Sequence, residues 1–143
     1  MNQRRRKKLT HHLFQATLAA DPARVKALLR AGADPGGGDS DGATPLYLAS
    51  VQGDAEVVRL LMEAGASPDT ESSGAGSEGT PLCAAACWGH TETVRELLTH
   101  GADPNLREDR GTGRSPSDWA NDGSHTKTAE LLIAAGAGPA EAP

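Results

Sequence analysis

The sequence predicts an all-α repeat solenoid, built from stacked helix–turn–helix units. Three recurrences in its 143 residues predict it. A Gly-containing block ending in proline returns as RAGADP at Pro35, EAGASP at Pro68, THGADP at Pro104 and AAGAGP at Pro139, at spacings of 33, 36 and 35. A helix-start signal returns as TPLYLAS from Thr44, TPLCAAA from Thr80 and SPSDWAN from Ser115. An apolar pair precedes each glycine: Leu28–Leu29, Leu61–Met62, Leu97–Leu98 and Leu132–Ile133. A fixed period of this length is the mark of units that bury their apolar faces only on one another.

Each element follows from local chemistry. Thr44, Thr80 and Ser115 offer a side-chain oxygen to a free amide at a helix start. Pro45, Pro81 and Pro116 follow at the first helical position, where a missing N–H costs nothing. Gly53 and Gly89 end the first helix in a left-handed turn, and a second helix spans 54–64 or 90–100. Gly32, Gly65, Gly101 and Gly136 cap those second helices. The outer units depart from this pattern. Unit 10–35 has no T-P-L, and its second helix opens at Asp21–Pro22 with Val25, Leu28 and Leu29 inward. Unit 105–138 carries Ser117, Asp118 and Asn121 at positions that are apolar or small elsewhere. Both read as caps with one face to water. Units 36–68 and 69–104 lie between them, with 1–9 as a disordered basic arm and 139–143 as a frayed tail.

Together the T-P-L starts and L-L-x-x-G-A ends resemble the ankyrin repeat over roughly residues 10–138. That resemblance implies hairpin-like loops projecting between units, and a concave surface of loop tips and first helices that binds another protein. Carried over by position, the candidate partner-binding residues are Ser40, Asp41, Ala43, Val51 and Gln52 in the second unit. In the third they are Glu78, Cys87 and Trp88. In the fourth they are Arg107, Asp109, Arg110, Arg114 and Asp122. Tyr47 is expected with Cys83 at the base of the groove.

Cys83, Cys87 and His90 fall within eight residues. In the repeat, Gly89 breaks the helix between Cys87 and His90, and no fourth ligand is placed nearby, so a tetrahedral metal site is not expected. His90 and His125 read as landmarks that cap or bridge neighbouring units. Trp119 falls at the register of Leu48 and Ala84 and reads as packing. Trp88, at a variable position, is either an interface anchor or a side chain folded beneath the Ser/Gly-rich loop 69–79, which is expected to be mobile.

Composition narrows function. No nucleophile elbow, zinc-protease helix, P-loop or dinucleotide fingerprint occurs, so no enzyme, cofactor or metal is expected. With four aromatics in all, a large aromatic-lined pocket is not expected. No apolar run approaches a membrane span, no signal-peptide core follows the N-terminus, and two close cysteines make no disulfide framework, so a cytoplasmic setting is expected. Net charge is −5, yet Arg4, Arg5, Arg6, Lys7 and Lys8 supply +5, which leaves the remainder acidic. The first two loop tips are acidic and the third mixed to basic, either a steering gradient or a solvated surface. The leading reading is non-enzymatic recognition of a partner protein, in a regulatory or inhibitory role. The alternative is tethering to nucleic acid or anionic membrane by the basic arm.

Overall fold

The computed structural model describes residues 1–73 and 78–140. The expected mobile stretch of loop 69–79 falls in part on residues 74–77, and most of the expected tail on 141–143, both outside the described residues. In chain order the helices are α1 (Gln3–Leu18), α2 (Pro22–Arg30), α3 (Pro45–Gln52), α4 (Ala55–Glu63), α5 (Pro81–Cys87), α6 (Thr91–Thr99), α7 (Glu108–Gly111), α8 (Pro116–Asp122) and α9 (Thr126–Ala134). The short α7 is one turn at a hairpin tip, with Asp109 and Arg110 left-handed.

Two layers result. The first helices α1, α3, α5 and α8 pack side by side, and the second helices α2, α4, α6 and α9 do the same. The helix starts are as the sequence predicts. Thr44 Oγ1 accepts from Tyr47 N at 3.1 Å, Thr80 Oγ1 from Cys83 N at 3.2 Å and Ser115 Oγ from Asp118 N at 3.1 Å. Asp118 completes a capping box by accepting from Ser115 N at 2.9 Å. Between the layers lies a core of small aliphatics. Val57, Val58 and Leu61 of α4 are fully buried, as are Val94 and Leu97 of α6 and Leu132 of α9. Each such side chain contributes about 1.5–3 kcal/mol over its exposed state.

The units are stitched by polar contacts at equivalent positions. His90 and His125 start α6 and α9 without capping them. Instead His90 Nε2 reaches Val51 O at 2.9 Å, and His125 Nε2 reaches Cys87 O at 3.0 Å. At the first junction Asp54 occupies the histidine position and caps its own helix, accepting from Val57 N at 3.2 Å. There Gln52 Nε2 donates to Leu18 O at 3.1 Å and supplies the missing bridge. Gly53 and Gly89 have φ of 74° and 69°, and a β-carbon on either would stand 2.5 Å from the His90 or His125 ring. Glycine is therefore required there twice, for the turn and for the approach of the ring.

Hairpins join the units. Asp39 N donates to Ala43 O (2.8 Å), Ser72 N to Gly79 O (2.7 Å) and Glu108 N to Arg114 O (3.0 Å). Among the described residues only the Ser72–Gly79 pair forms a β-bridge.

One expectation is corrected. Residues 3–9 are not a disordered arm but the first half of α1. Asn2 caps the helix by accepting from Arg5 N at 2.8 Å, and Arg, Lys and Leu are good helix formers. Leu9 packs on the core, Thr10 Oγ1 accepts from Asp34 N at 3.2 Å, and Arg6 lies 3.8 Å from the Asp34 carboxylate.

Candidate functional site

The concave face runs along the first helices and the hairpins. On it lies a cleft of about 510 Å³ lined by Tyr47 of α3, Cys83, Ala84 and Cys87 of α5, Trp88, Glu78 and Gly79 of the second hairpin, Glu108 and Asp109 of the third, and Trp119 of α8. Tyr47, Cys83 and Asp118 share one register on α3, α5 and α8, and Leu48, Ala84 and Trp119 share the next. Stacking the units therefore brings Tyr47 and Trp119 to one face from 72 residues apart in the chain. Ala84 is small, which leaves the hollow between them open.

Three of the molecule's four aromatics line this open cleft, beside seven non-aromatic residues. Trp88 follows the last residue of α5 and is 62% exposed. Trp119 packs partly on the core, and its Nε1–H donates to Glu108 Oε2 at 3.0 Å. The Arg114 guanidinium lies over the Trp119 ring, 4.7 Å from its centroid. Glu108 and Trp119 line the cleft, where sequence reasoning did not place them. The register of Trp119 with Leu48 and Ala84 was a usable signal, whereas Glu108 carried none.

Acidic side chains line the cleft, with the Arg114 guanidinium beside them over the Trp119 ring. The lining itself holds the carboxylates of Glu78, Glu108 and Asp109 and, among the described residues, no basic side chain. Partial burial, then Asp109 and Glu71, raises the Glu108 carboxyl above its usual range, against the opposing effects of the Trp119 hydrogen bond and Arg114. Burial followed by Glu108 also raises the Tyr47 hydroxyl and the Cys87 thiol. Cys83 is pushed up to about 12, chiefly by burial, so its thiol stays protonated and inert at neutral pH. Its Sγ lies 3.7 Å from Arg114 O and 3.9 Å from Leu106 O, at the base of the third hairpin. His90 points instead to Val51 O, so the structure does not bring Cys83, Cys87 and His90 together as one donor set.

The other candidates divide. Ser40 and Asp41 are exposed at the first tip, and Asp109 and Arg110 at the third. Val51 is half-buried, and Gln52, exposed on α3, uses its amide on Leu18. Ala43 is corrected: it is buried at the hairpin base, where its N–H donates to Asp39 Oδ1 at 3.0 Å, and it presents nothing to a partner. Arg107 and Arg114 do not make the third tip basic. Arg107 Nη1 donates to Gly113 O at 2.9 Å and lies 3.9 Å from Asp118 Oδ2. Arg114 Nη2 donates to Asp118 O and pairs with Asp122, so both members of that pair are engaged with each other. The charge pattern along the tips is acidic except for Arg110.

Comparison with known proteins supports this architecture. A family model described as ankyrin repeats (3 copies) matches residues 13–108 and 72–141. The chain belongs to the ankyrin repeat family. Ankyrin repeats are generally protein–protein interaction modules and typically carry no catalysis of their own. A similar segment occurs in the potassium channel KOR1 of Oryza sativa subsp. japonica, 43% identical over 54 residues, which is 38% of this ankyrin chain and 6% of the channel. The chain thus spans only a small part of that relative. Among the described residues no helix is long and apolar enough to cross a membrane.

Proposed function

We propose that this ankyrin repeat protein recognises one partner protein through the concave cleft and the exposed hairpin tips, and regulates that partner by occupying its surface. The observation that carries the reading is the convergence of Tyr47, Trp88 and Trp119 on one open cleft. Aromatics are enriched at interface hot spots, and the 62% exposure of Trp88 leaves a large apolar area unused by the fold. Glu78 and Asp109 of the cleft lining, with the exposed tip residues Ser40, Asp41 and Arg110, would supply the polar contacts that set orientation. The test is capture of partners from cells by wild type, by Trp88→Ala, and by Glu63→Gln on the opposite face. A protein retained by wild type and Glu63→Gln but lost with Trp88→Ala supports the cleft. Retention by all three removes it.

A second reading rests on α1. Arg4, Lys7, Lys8 and His11 are exposed at helical spacing on one stripe. An ordered basic stripe of this kind suits a phosphate-bearing surface, nucleic acid or anionic lipid. Triple reversal of Arg4, Lys7 and Lys8 to Glu, measured against duplex DNA and anionic vesicles across a salt series, tests it. Retained binding or no binding by wild type removes this reading.

A further inference from the structure

The cleft combines two features that recognise the same chemistry. Its lining includes the rings of Tyr47, Trp88 and Trp119 and the carboxylates of Glu78, Glu108 and Asp109. Aromatic rings attract cations through their negative faces, and carboxylates attract them by charge. Two basic side chains lie near it: Arg114, whose guanidinium stands over the cleft-lining Trp119 ring, and Arg107. Arg114 is held by Asp118 O and Asp122, and Arg107 by Gly113 O and the Asp118 carboxylate. Arg110, at the tip, lines the neighbouring hollow with Glu71, Glu78 and Asp109 and is absent from the lining of this one. The molecule already places one guanidinium on Trp119, so that ring is shown to accept a cation at 4.7 Å. The space, about 510 Å³, exceeds a single side chain and has room for the flanking backbone of a peptide.

We infer that the cleft receives a cationic side chain, arginine or lysine, from an extended segment of the partner, with its aliphatic stem against Trp88 and its charge toward Glu108. The inference rests on the cleft reading above and supplies the partner's chemistry. Glu108 is held in place by the Trp119 indole through Oε2, while Oε1 lies beside Gly79, another residue of the cleft lining. The apolar stem explains why a bare metal cation is a poor fit: the lining includes Ala84 and three rings, and offers no close oxygen cage.

The chain has two tryptophans, so its two indole N–H resonances report the site directly. The probes are capped pentapeptides, Ala-Leu-X-Leu-Ala, with X as Arg, Lys, norleucine or Glu, titrated into the 143-residue protein. Norleucine keeps an apolar stem and removes the charge. The expected result is saturable movement of both indole resonances with the Arg and Lys peptides, and binding weaker by about three- to thirtyfold with norleucine. Binding of the Arg peptide weakens with added salt and with Glu108→Gln, a variant whose amide oxygen still accepts from Trp119. Equal movement by norleucine and Arg overturns the cationic occupant while leaving an apolar cleft in use. No movement with any peptide overturns it too, and the Trp88-dependent capture then decides separately whether the cleft binds a partner at all. Movement with the Glu peptide alone reverses the sign of the inferred charge.

Discussion

His125 Nε2 lies 3.0 Å from the carbonyl oxygen of Cys87, the last residue of α5. The same bridge joins His90 to Val51 one unit earlier, and Gln52 to Leu18 before that. Each ties the start of one unit's second helix, or the end of its first, to a carbonyl at a helix end that has no intrahelical donor. Replacing His90 or His125 by Ala leaves that half-buried carbonyl unpaired and opens space beside Gly53 or Gly89. Each substitution is expected to cost about 1–3 kcal/mol. Gln52→Ala is expected to cost less, because Leu18 is 51% exposed and water can replace the amide. Urea unfolding midpoints of the three variants give the order. Equal losses at all three would remove the argument from burial.

The position before each second helix separates inner units from caps. Gly53 and Gly89 are left-handed, and so are Ala20 (φ 51°) and Ser124 (φ 56°) at the same register. A non-glycine residue in this region carries roughly 1–2 kcal/mol of strain, against about 0.5–1 kcal/mol for the greater freedom of glycine when unfolded. Ala20→Gly and Ser124→Gly are therefore expected to stabilise the protein by about 0.5 kcal/mol each. Gly53→Ala should cost about 2 kcal/mol or more, since it adds strain and displaces the His90 ring. Thermal melts of the three variants check the opposite signs.

The capping threonines, the prolines after them and the left-handed glycines were legible in the sequence because each is set by contacts within a few residues. The bridging histidines were legible as landmarks, though not which carbonyl each reaches. What eluded the sequence was set by the stacking. Trp119 has a packing position on its own helix, and only the neighbouring small Ala84 and the third hairpin make it a cleft wall. Glu108 sits in a loop whose conformation depends on left-handed Asp109 and Arg110, residue types that give weak warning of it. Arg107 and Arg114 read as tip charges, yet the capping-box carboxylate of Asp118 lies beside Arg107 and Asp122 pairs with Arg114 at the surface. The basic start read as an arm because charge was weighed above helix propensity and the Asn2 cap.

Glu108 gives a pH prediction. Burial and the neighbouring Asp109 and Glu71 raise its carboxyl, so the folded state holds the proton more tightly than the unfolded chain does. Its contribution is then most favourable below the ordinary glutamate range and is lost as pH rises through the raised value. Glu108→Gln mimics the protonated form. Relative to wild type, its stability should be nearly unchanged in acid and should improve as pH approaches neutrality. Paired melts between pH 4 and 7 read the difference. A gain that shrinks with rising pH would show that the Trp119 hydrogen bond to the ionised carboxylate outweighs the burial.

The two cysteines should differ in reactivity. Cys83 is fully buried with its thiol pushed up to about 12, whereas Cys87 is half-buried on the cleft, its thiol raised by that partial burial. At pH 7.5 a thiol-alkylating reagent is expected to modify Cys87 slowly and Cys83 only on unfolding. Mass spectrometry of peptides after timed labelling separates them. Modification of Cys83 in the native protein at the rate of Cys87 would mean that the third hairpin opens readily over it.

Trp88 separates folding from recognition. Its 62% exposure means that Trp88→Ala removes little packing, so the unfolding midpoint is expected to move by no more than about 0.5 kcal/mol. If the ring anchors a partner, its loss should weaken binding by about 2 kcal/mol, roughly thirtyfold. Trp119→Ala is expected to cost both, because that ring packs on the core as well as lining the cleft and donating to Glu108. Affinity and stability measured together on the two variants therefore test whether the cleft is a binding surface. A stability loss in Trp88→Ala as large as in Trp119→Ala would assign Trp88 to the fold instead.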